Sequence, residues 1–291
     1  MHSYLRAIGF GALSKDAEAE KFLDETFYDY TKREIARGEN NTAFIQMCKE
    51  YAPNMGIMIY GNLDENGFHR QHYFPYFTGA QVSTKDELTI EKRVDGISYA
   101  GVCDDGRVGV SIIFYVQNIA QYQRETFLDS VFRKSMSATL SGLSTGGMIL
   151  LPVKKDIDQI SRQQKSTAKR NQLLSAAKNG DEEAIESLTI EDMDMYSMIS
   201  RRMYTEDIYS IVDTFFMPYG IECDQYQIMG NIRYCEKVVN TATDEKVYQM
   251  GIECNDLCFD ICINEKDLLG EPEVGRRFKG NIWLQGHVNF E

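Results

Sequence analysis

The sequence lacks any apolar run as long as a membrane span, and its opening residues lack the pattern of a secretory signal. A helix needs about 20 consecutive apolar residues to cross a bilayer, and no stretch approaches that length. We therefore expect a soluble protein that stays in the cytoplasm, where it is made, and that does not contact membranes.

Basic residues are also scarce: Lys and Arg number 31 against 44 Asp and Glu, which gives a net charge of −13. A negative field of this size repels phosphate backbones, so nucleic acid is an unfavourable partner. Apolar residues still make up 43% of the 291 residues, which is enough for a core. The length suits two domains of ordinary size.

The seven cysteines are odd in number and widely spread, unlike the disulfide framework of a small secreted protein. Cys254, Cys258 and Cys262 are spaced by four residues, but residues 257–263 alternate with the period of a β-strand. Residues four apart on a strand lie about 13 Å apart, too far to share one metal ion. We therefore predict reduced thiols, and the sequence indicates no cofactor.

Residues 1–153 have the patterns of an α+β domain, with helices and an antiparallel sheet. A short strand over residues 2–10 precedes a helix that runs to about Arg37, and three hairpins follow. Apolar alternation on both sides of turn-forming residues predicts these hairpins. The last of them is expected to turn at Gly146 and Gly147.

Residues 154–205 are rich in good helix formers, which predicts a central helical hairpin. Its first arm, residues 154–178, has seven basic and two acidic side chains, whereas residues 179–195 have seven acidic side chains and no basic one. Opposite charges favour pairing of the two arms. We also expect a protein partner to dock on this hairpin.

Residues 206–291 return to a β pattern, which predicts a second, β-rich domain shaped as a small barrel, of which an OB-like barrel is one form. In its closing strand, the alternation places Ile282, Leu284 and Val288 toward the core. Trp283 then lies on the opposite face among hydrogen-bonding side chains.

That face has two interpretations. Trp283 either packs beneath another part of the protein or lines a shallow binding site. In the second case the site contains Trp283, Gln285 and His287. An anionic group of the ligand would be attracted by three nearby cations, which are Arg276, Arg277 and Lys279.

Three acidic residues near the turn at residues 217–220 form a candidate metal site, namely Asp213, Glu222 and Asp224. A solvated acidic rim is the alternative interpretation of the same residues.

Two segments match most of the residue pattern of a catalytic or cofactor-binding motif but lack a feature that the motif requires. Residues 142–146 read G-x-S-x-G, yet an extended apolar segment follows where a nucleophile elbow needs a helix. Gly9 and Gly11 resemble the start of a dinucleotide-binding loop, but Ser14 stands where the third glycine belongs. Neither motif predicts an active site.

Residues 2–10, 217–224 and 278–286 resemble a family of cytoplasmic proteins of unknown function from anaerobic Firmicutes. The resemblance spans the whole chain and implies a bacterial protein, but it implies no activity, ligand or catalytic residue. Because every catalytic motif fails, we expect a non-enzymatic binding or adaptor protein. The alternative is an enzyme whose active site is assembled between the two β-containing domains.

Overall fold

The computed structural model is a mixed α+β protein, which confirms the predicted fold class. The residues that it describes are 2–13, 16–37, 42–127, 136–153, 166, 169–170, 172–177 and 179–290.

Four α-helices are bounded within these residues, along with two short 3-10 helices. The α-helices are α1 (Asp16–Tyr28), α2 (Ile119–Phe127), α3 (Glu182–Arg202) and α4 (Ile208–Ile211). The 3-10 helices span Ser3–Ile8 and Glu265–Asp267.

The smaller of two sheets is an antiparallel meander in chain order, made of β1 (Lys32–Arg37), β2 (Ala43–Ala52), β3 (Met55–Asp64) and β4 (Gly67–Phe77). Its β3–β4 turn is held by a hydrogen bond of 2.7 Å from the Asn66 amide to Asp64 Oδ1. Helix α1 packs against β2 and β3, and α2 packs against β1 and β2.

The larger sheet has ten strands from both halves of the chain. They are β5 (Leu88–Lys92), β6 (Tyr99–Asp105), β7 (Val110–Val116), β8 (Met136–Leu150), β9 (Phe215–Pro218), β10 (Gln225–Val239), β11 (Lys246–Cys254), β12 (Leu257–Asn264), β13 (Leu268–Leu269) and β14 (Arg277–Phe290). Their order is β13-β8-β12-β11-β10-β14-β7-β6-β5, and β9 pairs with β10.

Strand β8 also pairs with β14, so the pairings β8-β12-β11-β10-β14 return to β8. A barrel built from residues 206–291 alone is not confirmed, because β8, from residues 136–150, completes this ring. The predicted domain boundaries at residues 153 and 205 stay predictions. Strand β8, which precedes residue 153, is hydrogen-bonded to β12 and β14, which follow residue 205.

The first ten residues differ from prediction. They contain a 3-10 helix rather than a strand: the His2 side chain accepts from the Tyr4 amide, and Gly9 ends the helix at φ 87°. The following helix ends at Tyr28, and the segment to Arg37 is β1. Pairing with β2 overrides the weak helical propensity of that segment.

The prediction of a third hairpin is also wrong, because β8 continues through Gly146 and Gly147 without reversing direction. The register with β14 shifts between Gly280 and Ile282, opposite these glycines. A Cβ on Gly147 would lie 2.4 Å from the Phe278 ring, so glycine is required there for close approach. The glycines permit an irregularity in the strand, not a reversal.

The helical arms contact each other as their charges predict. Lys169 and Arg170 form ion pairs of 2.8 Å with Glu191 and Asp192 of α3. Gly180 has φ 86° at the turn, and the Asp181 side chain caps α3 by accepting from the Ala184 amide. Residues 154–165, 167–168, 171 and 178 of the first arm lie outside the described residues.

Most of the buried apolar residues in the described ranges form one cluster that includes side chains from both sheets. No helix in the described part of the chain is both long and apolar enough to span a bilayer.

Candidate functional site

Strand β14 lies where the two sheets meet, and its alternation places Trp283, Gln285 and His287 toward β3, β4 and the start of α2. Trp283 packs against Phe74 of β4 with ring centroids 6.4 Å apart, and Gln285 Nε2 donates to Pro75 O at 2.8 Å. This face is buried, in agreement with the interpretation that Trp283 packs beneath another part of the protein, because Trp283 is 6% exposed and Gln285 is 0% exposed.

Buried amide side chains join the sheets beside Gln285. Gln117 Nε2 donates to Gln285 Oε1 and to Phe77 O, both at 2.8 Å. Gln46 Nε2 donates to Gln117 O at 2.7 Å, and Gln46 Oε1 accepts from the Ala120 amide at 3.0 Å. We call Gln46, Gln117 and Gln285 the amide seam. Because these hydrogen bonds are made within the protein, the side chains of the seam are held in fixed positions before any ligand binds.

Asn118 positions the last of the three β14 side chains. Its Nδ2 donates to Val288 O at 2.8 Å, and its Oδ1 accepts from the Val288 amide at 2.9 Å. The same Nδ2 lies 3.5 Å from His287 Nε2. Asn118 therefore fixes the strand on which His287 sits and lies beside the imidazole itself.

A cleft of about 290 Å³ opens next to the amide seam, and we call it the seam cleft. Strands β1 to β4, the segment between β7 and α2, and β14 all contribute to it. Its lining includes Lys32, Glu34, Cys48, Glu50, Tyr76 and His287.

The inner groups of the seam cleft are neutral near pH 7. Burial raises the pKa of the Cys48 thiol, although a hydrogen bond with Tyr76 opposes the rise. Burial also raises the pKa of the Tyr76 hydroxyl. Burial lowers the pKa of His287, and the charge of Lys32 lowers it further. These three groups therefore act as uncharged hydrogen-bonding partners.

The rim of the seam cleft carries the charged side chains of Lys32, Glu34 and Glu50, and those of Lys32 and Glu34 are paired internally. Glu34 forms ion pairs of 2.6 Å with Lys32 and 2.8 Å with Arg124. Burial would raise the pKa of Glu34, but these two cations lower it overall. The carboxylate therefore stays ionised and neutralised by its neighbours.

Trp283 occupies an aromatic cluster away from the seam cleft. Its ring lies 4.9 Å from His2 and 5.2 Å from Tyr115, measured between centroids. Its Nε1 donates to Asp224 Oδ2 at 2.9 Å, and Arg93 donates to the same oxygen at 2.5 Å. Arg93 is a partner that no motif in the sequence indicated.

The three predicted anion-attracting cations do not assemble beside Trp283. Arg277 is 3% exposed and donates to the carbonyls of Val212 and Tyr209. Arg276 pairs with Glu273 at 2.9 Å, and Lys279 lies over the Tyr209 ring at 4.5 Å. These other partners hold the three cations, although β14 pairs with β10 in regular register from Arg277 to Trp283, because the extra residue at the register shift with β8 belongs to β8.

The candidate metal ligands are likewise not assembled. Asp224 is buried in the contacts with Arg93 and Trp283. Within the described ranges, no group of three or more His, Cys, Asp or Glu residues is arranged to hold a metal ion, so Asp213 and Glu222 do not join Asp224 in one.

Ser144, the serine of the G-x-S-x-G match, is buried in the middle of β8. Its Oγ donates to Asn281 O at 2.8 Å, which is a structural bond between strands. Cys258 and Cys262 lie on β12 as predicted, and all seven cysteines are free.

Of the residues that form the polar lining of the seam cleft, only His287 was predicted from the sequence as a site residue. Cys48 and Tyr76 lie on β2 and β4, and Gln117 and Asn118 follow β7. Their only sequence signal is polarity within apolar strand patterns, which does not tell which strands will meet.

Comparisons with known proteins give a family but no activity. No curated protein and no solved structure matches the chain. A family model described as a domain of unknown function with an E. rectale gene description, DUF3881, matches residues 5–286. The chain therefore belongs to the DUF3881 family.

Proposed function

We propose that this chain is a non-enzymatic protein that binds a small, uncharged polar molecule in the seam cleft. The observation that carries the proposal is the convergence of neutral hydrogen-bonding groups from Cys48, Tyr76 and His287 on one cleft. A small pocket with a few well-placed polar groups on a rigid base is the common form of a ligand site. The amide seam supplies that base.

A panel of monosaccharides, polyols and primary amides tests this proposal by thermal shift, followed by calorimetry on the best compound. A ligand at 100 times its Kd stabilises the folded state by about 2.7 kcal/mol, which is a measurable rise in Tm. Tyr76→Phe and His287→Phe each remove a hydrogen-bonding group and should weaken binding about tenfold.

Cys48→Ala removes the thiol, and Cys235→Ala is its matched control, because Cys235 is also half-buried but does not line the cleft. Ligand binding should survive the Cys235 change and weaken with the Cys48 change. The proposal fails if no compound in the panel binds, or if binding is equal in all these variants.

An enzyme with a site assembled between the domains is the second candidate, and one observation favours it. Cys48 and His287 line the same cleft, as the members of a thiol–imidazole pair would. A nucleophilic cysteine needs a lowered pKa, however, whereas burial raises that of Cys48. Alkylation of Cys48 by iodoacetamide distinguishes the two: rapid reaction at pH 6 would support the enzyme.

The expected protein partner also stays a proposal, and we place it on α3. This helix exposes Met193, Tyr196 and Met198, with exposed fractions of 66%, 75% and 53%, among acidic side chains. Exposed apolar surface of this kind favours a partner that has an apolar face and a basic rim. The seven free cysteines support a reducing, cytoplasmic location for both functions.

A further inference from the structure

A second cleft, of about 460 Å³, lies between the smaller sheet, α2 and the β5–β6 connection. We call it the cationic cleft, because its charged side chains are Arg37 and Lys92, and no carboxylate is among the described residues that line it. In a chain with a net charge of −13, such a lining is a local reversal of sign. It attracts an anion.

Aromatic rings form much of the same cleft. Tyr99 and Tyr122 meet at a centroid distance of 5.5 Å with planes inclined by 63°. Phe127 is 63% exposed, and the Arg37 guanidinium lies 5.2 Å from its ring centroid. An exposed ring next to a cation is a surface on which a flat ligand ring stacks while its anionic group meets the guanidinium.

One polar atom in this lining lacks a partner. Gln123 Oε1 is buried and has no hydrogen-bond partner within the described structure. A buried acceptor left unpaired costs about 1 to 3 kcal/mol, so a ligand N–H gains affinity if the Gln123 side chain rotates to present Oε1 to the cleft. Ring nitrogens and amino groups of nucleobases are donors of this kind.

We propose that the cationic cleft binds a nucleoside monophosphate. The base stacks on Tyr122 and Phe127 and donates to Gln123 Oε1, and the phosphate pairs with Arg37. Phosphate binding by a guanidinium is charge-assisted and can be bidentate, and stacking on aromatic rings tolerates any base. The seam cleft, with its neutral inner groups, takes no part in this binding.

Isothermal titration of the full chain with AMP, CMP, GMP and UMP tests the proposal. At least one nucleotide should bind about tenfold more tightly than its nucleoside, and also more tightly than inorganic phosphate, because it uses both halves of the cleft. Binding should weaken as salt is raised, since the Arg37 contact is near the surface. Absence of binding by all four nucleotides overturns the proposal.

Variants locate the binding. Arg37→Gln should weaken nucleotide binding about tenfold and leave nucleoside binding unchanged, whereas Tyr122→Leu and Gln123→Leu should weaken both. Lys246→Gln removes an exposed cation outside the cleft and should have no effect. Equal binding by wild type and Arg37→Gln overturns the proposal, as does loss of nucleotide binding in Cys48→Ala, which would place the nucleotide in the seam cleft.

Discussion

The indole nitrogen of Trp283 donates a 2.9 Å hydrogen bond to Oδ2 of Asp224, which lies 59 residues earlier in the chain. The backbone reinforces this contact, because the Leu284 amide donates to Asp224 O at 2.8 Å. Arg93 then neutralises the carboxylate. Burial acts to lower the pKa of Arg93, but the charge of Asp224 raises it overall. Trp283 is thus part of a buried charged network rather than of a shallow binding site.

We predict that Trp283→Ala destabilises the fold by about 3 to 5 kcal/mol, since it removes a large buried side chain and a hydrogen bond. Trp283→Phe keeps most of the ring packing and should cost about 1 to 3 kcal/mol, because Asp224 loses one donor. Urea denaturation measures both values.

Fluorescence gives a check without substitution, because Trp283 is the only tryptophan. Its emission should be blue-shifted and weakly quenched by acrylamide. A small loss of stability in Trp283→Ala, together with efficient quenching, would contradict the burial of this side chain.

Trp283 also shows which structural properties can be predicted from the sequence and which cannot. Alternation correctly groups Trp283, Gln285 and His287 on one side of β14, because side-chain direction in a strand is a local property. Whether that side is exposed to solvent depends on which sheet lies opposite. The residues that cover it, such as Phe74 and Gln117, come from other parts of the chain. Local patterns carry no information about this long-range pairing.

The same distinction explains the other outcomes. The helical arms were predicted correctly because charge complementarity and the stop signal at Gly180 are encoded within one short segment. The continuity of β8 through Gly146 was missed because a glycine pair marks either a turn or a close approach between strands. Only the partner strand, with Phe278 against Gly147, distinguishes the two.

We predict that the amide seam acts as one cooperative unit. Gln117→Leu leaves Phe77 O and Gln285 Oε1 without their shared donor, and Gln285→Leu removes the bond to Pro75 O. Each change should cost about 1 to 3 kcal/mol. The double variant should cost less than the sum, because two leucines no longer bury an unpaired amide. Additive losses in a double-mutant cycle would show that the two glutamines act independently.

The ion pairs between the helical arms should give a small, salt-dependent effect. Reversing Lys169 and Arg170 to Glu places like charges opposite Glu191 and Asp192. Because these pairs are exposed, each contributes only about 0.2 to 1 kcal/mol, and the loss of Tm should shrink at high salt. Adding Glu191→Lys and Asp192→Lys to the reversed arm should restore Tm; failure to restore it in low salt would exclude direct pairing.

The stability of the fold should fall as the pH decreases below about 6.5, in part because of His287. Burial lowers the pKa of His287 in the folded protein, whereas the unfolded chain has the ordinary histidine pKa of about 6.5. Between these values the unfolded chain binds a proton that the folded chain does not, so protonation favours unfolding. Burial also lowers the pKa of His2, to about 4, and that of His72, so both act in the same direction.

His287→Gln should therefore flatten the decline of unfolding free energy between pH 6.5 and pH 5, where one histidine contributes at most about 1.4 kcal/mol per pH unit. Urea denaturation at several pH values measures the slope. His69→Gln is the matched control, because the His69 side chain is 58% exposed and lies outside the seam cleft. If His287→Gln and the wild type show the same slope, the imidazole takes up its proton without unfolding, and the neutral lining proposed for the seam cleft is wrong at acidic pH.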